Sequence, residues 1–229
     1  MHKVRVWDFP LRLFHWLFAA AVFASLASGQ IGGNLMVWHG RLGILIAGLL
    51  GFRLAWGLTG STYARFASFV RGPTAIRDYL RGEWHGLGHN PLGALSVIGL
   101  LTVICLQTAG GLFANDDIAF QGPLYGLVSK DTSDWVAGLH RKGFWLVLLL
   151  VGLHLAAIAY HLGIKKDNLV LPMFTGEKEV ADRSAFTPAS GGGPLALLLS
   201  LAIGILSAYG ASGEWLPPPP PAPATTPAW

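Results

Sequence analysis

Eight histidines are spread unevenly along the 229 residues of this chain. His2 and His85 have polar neighbours, where an exposed side chain is the simplest expectation. His89, in GHNP, falls just ahead of an apolar block, where an interfacial role is the default. The other five, His15, His39, His140, His154 and His161, lie in or at the ends of long apolar stretches. A polar side chain at membrane depth is costly and normally has a definite partner. Two of the five bracket LHRKGFWLVLLLVGLH, residues 139–154. On a helix, their 14-residue separation returns to within ~40° of the starting direction after a rise of ~21 Å. One face therefore presents an imidazole near each side of a hydrocarbon layer. The pair is too far apart to share one ion, but suits two separate cofactors stacked along the helix.

The stretches that carry these residues are long enough to cross a bilayer. The chain is 52% hydrophobic and 12% charged, where soluble domains carry about twice that charged share. A spanning helix needs about 20 mostly apolar residues. Five blocks meet that requirement: 11–29, 38–58, 91–113, 140–163 and 194–210. They predict an all-α integral membrane protein, a four-helix transmembrane bundle with a fifth, C-terminal transmembrane helix. The first block holds His15 and Trp16 and exceeds a usual signal core, so an uncleaved helix is expected.

Charge orients the bundle. With a cytoplasmic N-terminus, twelve of the sixteen Lys and Arg residues fall on the inner side, leaving only Arg41, Lys130, Arg141 and Lys142 outside. That asymmetry follows the positive-inside rule and predicts a multi-pass protein of the bacterial inner membrane, with a periplasmic C-terminus. It also accounts for the net charge of +4 and leaves no separate basic patch for nucleic acid. The single cysteine, Cys105, excludes an internal disulfide. Without a CxxCH motif, covalent c-type haem attachment is excluded too.

The domain organisation expected is a bundle over 1–178, a polar Gly/Ser linker over 179–193, the extra helix over 194–213 and a proline-rich tail over 214–229. Within the bundle, FASFVRGPTAIRDYLRG should lie on the inner surface as a short amphipathic helix. An outer loop, 114–138, carries Asp116, Asp117, Asp131 and Asp134 and is expected to be solvated. The tail is polyproline-like and cannot pack a core.

Depth and direction then pair the histidines. The second and fourth helices run the same way, and His39 opens one as His140 opens the other. They share the outer level. His15, in the inner half of the first helix, pairs with the inner histidine of the fourth. The result is two bis-histidine sites, one above the other, and haem b fits both. The iron ligands expected are His15 with His154 and His39 with His140; no catalytic side chain is assigned. His161 is the rival inner ligand, on the same face seven residues on. Using it would separate the irons by ~31 Å along the helix, a poor distance for electron tunnelling, so His154 is preferred and His161 placed at the interface. Arg41, Arg141 and Lys142 could pair with propionates outside, and Arg12 and Arg53 inside. Positive charges at membrane interfaces explain the inner ones equally well. Glycines beside the histidines (Gly40, Gly43, Gly48, Gly51, Gly138, Gly143 and Gly152) allow close porphyrin approach or ordinary helix packing.

Four stretches carry a family resemblance: VWDFPLRLFHWLF, WHGRLG, GHNPLGAL and LHRKGFWLVLLLVGLHLAAIAYHLGIKKDNLVLPM. Over about residues 4–178 the chain resembles bacterial cytochrome b561 and the b-type cytochrome subunits of nickel-iron hydrogenases. The resemblance implies a four-helix bundle with two b haems, held by His15, His39, His140 and His154. It also implies electron transfer between the quinone pool and a redox partner, either a cytochrome c or a hydrogenase-like dehydrogenase. Quinone would be the lipid-side substrate. A superoxide:quinone oxidoreductase of the same family is the alternative. From another class, a histidine-lined proton or metal-ion transporter would need ligands clustered at mid-membrane and acidic residues within helices. Residues 180–229 lie outside the family's common core.

Overall fold

The computed structural model describes residues 2–182 and 184–217; most of the expected proline-rich tail lies outside the described residues. The chain opens with a strand, β1 (His2–Arg5), and a helix, α1 (Phe9–Ile31). Asp8 caps α1 by accepting the Leu11 amide at 2.7 Å, and Pro10 occupies its first turn. A 3-10 turn, Gly33–Leu35, passes the chain into α2 (Met36–Thr59). The surface segment expected as one amphipathic helix is instead two, α3 (Phe66–Phe69) and α4 (Pro73–Leu80). The break falls at Gly72-Pro73, because proline starts a helix readily but cannot continue one.

α5 (Pro91–Phe113) is capped by Asn90, whose side chain accepts the Gly93 amide at 2.8 Å. α6 (Lys130–Tyr160) begins at Lys130 rather than at 140, where the apolar block starts. Ser129 accepts the Thr132 amide and Asp131 sits in the first turn, both favourable at a helix N-terminus. The acidic loop expected over 114–138 therefore stops at 129, and Asp131 and Asp134 are helical. α6 continues through a π turn, His161–Lys165, which ends at Lys166 in the left-handed conformation. Then come α7 (Val170–Thr175), β2 (Glu177–Val180) and α8 (Pro194–Ser212).

Five helices among the described residues are long and apolar enough to cross a membrane: α1, α2, α5, α6 and α8. They form an all-α membrane bundle in which the chain alternates between two ends. The near end holds the N-terminus; the far end holds the 114–129 loop. α2 is central and packs on α1, α5 and α8, whereas α6 packs lengthwise on α5 and stands off from α1 and α2.

The fifth helix is a full member of this bundle. Gly48 and Gly51 of α2 meet Gly204 and Ser207 of α8. A Cβ on Gly48 would lie 3.1 Å from the Ala208 Cβ, and one on Gly204 3.0 Å from the Gly48 carbonyl oxygen. Small residues let two backbones approach where lipid supplies no hydrophobic drive. Buried Ser200 meets the Thr59 hydroxyl at 3.4 Å where α8 starts.

The near end is tied together by polar contacts. β1 and β2 pair antiparallel, His2 opposite Val180 and Arg5 opposite Glu177. Residues leading into α8 bond the segment after α2, with Thr62 donating its amide to the Ser190 carbonyl at 2.8 Å. Asp8 accepts from the Trp56 indole at 3.2 Å and from the Ser61 hydroxyl as well as from Leu11. At the far end the loop's acids are largely engaged. Asp116 accepts three amides, from Ile118, Ala119 and Phe120, which hold its carboxyl below the usual carboxylate range. Lys130 bridges Asp117 at 2.7 Å and Asp134 at 2.8 Å. The Phe120 ring lies against Gly40, so the loop reaches from α5 across to α2.

Because Gly51 has no room for a side chain beside Ser207, Gly51→Val should force α8 away from α2. Overpacking of this kind costs about 1–3 kcal/mol. Thermal unfolding in detergent should show a lower midpoint than the parent protein; an unchanged midpoint would contradict the packing described.

Candidate cofactor sites

At the far end, the rings of His39 on α2 and His140 on α6 face each other with centroids 5.9 Å apart and planes at 80°. They meet across the space where α6 stands off from α2. His140 Nδ1 lies 2.9 Å from the Gln107 carbonyl oxygen, and His39 Nδ1 lies 2.9 Å from that of Ser25. A carbonyl can only accept, so each Nδ1 carries the proton and each Nε2 keeps a free lone pair. That tautomer leaves the ligating nitrogen available and fixes the ring's direction.

One backbone device builds both contacts. Gln107 is followed four residues later by Gly111, and Ser25 by Gly29. In an α-helix, residue i+4 lies one turn above the carbonyl of residue i, so a side chain there would stand in the way of an incoming ring. A Cβ on Gly111 would come within 3.0 Å of the His140 ring, and one on Gly29 within 2.9 Å of the His39 ring. Sequence reasoning passed over both glycines because they lie on the neighbouring helices, not beside the histidines. The i, i+4 spacing from a helical acceptor is the signal that could have found them. Gln107 also donates its side-chain amide to the His140 carbonyl at 2.9 Å, filling the space left by Gly143.

At the near end, His154 on α6 is near enough for its charge to act on His15 on α1. His154 Nδ1 lies 3.3 Å from the Ser96 hydroxyl of α5. His15 Nδ1 is buried with no hydrogen-bond partner. The neighbouring Trp16 donates its indole N–H to the Met173 carbonyl at 3.1 Å and stacks on Phe174 at 4.4 Å. Arg12 gives Nη1 to the Phe174 carbonyl, leaving Nε buried and unpartnered. The LPM stretch quoted for the resemblance is thus the α7 turn that seats the start of α1.

His161 is built differently. Its Nε2 lies 3.1 Å from the Tyr79 hydroxyl, and its Nδ1 faces Asp167 at 3.8 Å, itself paired to Lys178 at 2.9 Å. Its Nε2 is engaged by protein while its Nδ1 is buried without a hydrogen-bond partner, and the Tyr79 contact docks α4 on the end of α6. His89 is the near-end residue that sequence reasoning undervalued. Its ring packs between Trp7 at 4.7 Å and Phe69 at 4.6 Å, and its Nδ1 is buried without a partner. Burial first, then Arg53, pushes its pKa below the ordinary histidine value, so it is neutral at pH 7. Among the singled-out glycines, Gly40, Gly48, Gly51 and Gly143 serve packing within the protein, whereas Gly43, Gly138 and Gly152 face open space. At the far end, Arg41 lies over the Trp38 ring at 5.0 Å, and Arg141 and Lys142 are exposed.

Paired imidazoles on facing helices of a membrane bundle are an arrangement suited to a flat metal macrocycle within the bilayer. The model of the prokaryotic cytochrome b561 family matches residues 6–176, and the chain belongs to that family. It is therefore a b-type cytochrome, which implies haem b and electron transfer in a membrane. It is also similar to a probable Ni/Fe-hydrogenase B-type cytochrome subunit of Azotobacter chroococcum mcd 1, with 26% identity covering 78% of this chain and 90% of that protein. The corresponding subunit of Rhodobacter capsulatus is 21% identical, covering 79% and 83%. No solved structure gives a significant match.

The residues present fit the group. Two imidazoles binding one metal from opposite sides, each at about 2 Å, place their ring centres roughly 6 Å apart, close to the far-end pair's 5.9 Å. His15 at the near end supplies a buried polar ring whose only unmet need is a partner. If Gly111 clears the way for His140, Gly111→Val should turn that ring aside. The purified variant should carry less haem per chain in a pyridine haemochrome assay, while retaining the parent's helical circular dichroism. Full haem content would show that the glycine does not position the ring.

Proposed function

We propose that this chain is a two-haem electron carrier, with His39 and His140 holding one haem b and His15 and His154 the other. The observation that carries the reading is the far-end pair: facing rings, each with Nδ1 committed to a carbonyl and Nε2 free. Fourteen residues separate His140 from His154 on one face of α6, so the second site lies ~21 Å from the first along that helix. Haem iron, when bound, supplies reversible one-electron chemistry. His39 and His140 would hold one group and His15 and His154 the other, each among apolar helix faces. With these histidines taken up as ligands, the reading is electron transfer rather than binding of a substrate at iron.

His154 is favoured over His161 as the near-end ligand because His161 already has Tyr79 on Nε2. On the charge asymmetry of the sequence, the near end faces the cytoplasm of an inner membrane. The lipid-side substrate is quinone, and the far end exchanges electrons with a redox protein. The relatives named as hydrogenase cytochrome subunits favour a dehydrogenase of that kind over a cytochrome c. Superoxide oxidation has no separate observation in its favour. Histidines arranged in pairs at two levels do not suit a transporter with one mid-membrane ligand cluster.

An absorbance spectrum of the purified protein, oxidised and then reduced, should show a b-type α-band from two haems per chain. His154→Ala should remove one haem and spare the other, and His161→Ala should spare both. Loss of a haem in His161→Ala with both retained in His154→Ala would reverse the ligand assignment.

A further inference from the structure

Arg53 is the most buried charged residue in the bundle, with 2% of its surface exposed, yet it has no carboxylate bonded to it among the described residues. Nη1 donates to the Ala64 carbonyl at 3.2 Å, and the guanidinium lies over the Phe66 ring at 4.5 Å. Guanidinium carries five donors and keeps its charge in proteins. A charge held this deep needs an anion, since removing it from water uncompensated costs several kcal/mol. Asp8 is near enough for its charge to act on Arg53. Its oxygens, however, are occupied by the Leu11 amide, the Trp56 indole and the Ser61 hydroxyl.

The position of Arg53 on α2 indicates which anion is missing. Arg53 follows His39 by fourteen residues, the same interval that separates His140 from His154 on α6. The two helices run in the same direction. At the far end they present a histidine each; one interval on, α6 presents His154 and α2 presents Arg53. Arg53 therefore shares its helix face with the far-end ligand His39 but sits at the level of the near-end site. His89, which lies within charge range of Arg53, His15 and His154, brings a buried and unpartnered Nδ1 to the same place.

We propose that Arg53, with His89 beside it, forms the carboxylate seat of the near-end site and binds a propionate of the haem held by His15 and His154. This rests on the two-haem reading. It assigns different work to the two arginines expected on this side: Arg12 ties α1 to α7, and Arg53 receives the anion. Arg53 acts as a positioning residue, not as an iron ligand. Its positive charge also favours the ferrous form, because a nearby cation opposes the extra charge of ferric iron.

The test is a redox titration of the full-length purified protein, followed at the haem α-band, for the parent, Arg53→Gln, Arg53→Lys and His154→Ala. In the parent two components should titrate, of which His154→Ala loses one. In Arg53→Gln that same component should move to lower potential, by a tenfold change in its reduced-to-oxidised ratio at fixed potential, about 59 mV. The other component should stay in place. Arg53→Lys, which keeps the charge but not the planar fork, should shift the same component less. The seat is overturned if neither component moves in Arg53→Gln, or if the shift falls on the component that survives His154→Ala. Should Arg53→Gln fail to assemble, Arg53→Met, which also removes the charge but keeps an unbranched side chain, decides by the same two criteria. A parent with one component, or His154→Ala with no loss, would instead overturn the two-haem reading on which the seat depends.

Discussion

Everything in this bundle turns on a small problem of valence: an imidazole inside an apolar layer has two nitrogens and no water. One nitrogen can be given to a metal only if the other is satisfied by something that fixes it as a donor. The far-end histidines solve this with backbone. Helix carbonyls have two lone pairs and use one within the helix, so the second can receive an Nδ1–H from outside. Reaching it requires the neighbouring helix to be bare one turn above, and Gly29 and Gly111 provide that gap. Helix spacing, glycine placement and tautomer are thus one constraint seen at three scales.

The same constraint explains the uneven packing. A helix whose histidines must face a space cannot be held by the helices across that space. α6 is accordingly fastened to α5 along its length, with Gln107 bonded both ways to His140. α2 has the opposite task. It carries His39 and Arg53 on one face and is held on its other faces by α1, α5 and α8. The fifth helix, outside the family's matched span, therefore supports the helix that carries His39 and Arg53. The near-end contacts among β1, β2, Asp8 and Ser61 secure the same helices where they leave the apolar layer.

Much of this was legible in the sequence, because its causes are periodic. Apolar runs of membrane length gave five spans, and the 14-residue interval placed His140 and His154 on one face. What periodicity does not encode was not read. The early start of α6 depends on a serine cap at residue 129, upstream of the apolar signal. Asp8 looks like a helix cap, but its bonds to Trp56 and Ser61 are long-range. From sequence alone His89 reads as interfacial, because its aromatic neighbours, Trp7 and Phe69, come from distant segments. Spacing leaves the glycines two equal roles, and only three-dimensional neighbours separate Gly48 and Gly51, which seat α8, from Gly43, Gly138 and Gly152, which face open space.

The two ends are unequal in a way that bears on function. Far-end cations are on the surface: Arg41 lies on Trp38, and Arg141 and Lys142 are exposed, so water and salt screen them. Arg53 at the near end is buried, where the same charge acts through a less polar medium and with little screening. On the proposed reading, the buried Arg53 acts on the near-end group more strongly than any one of the exposed cations acts on the far-end group. Any electrostatic difference between the two ends is then set by where charge is buried, not by how much charge each end carries.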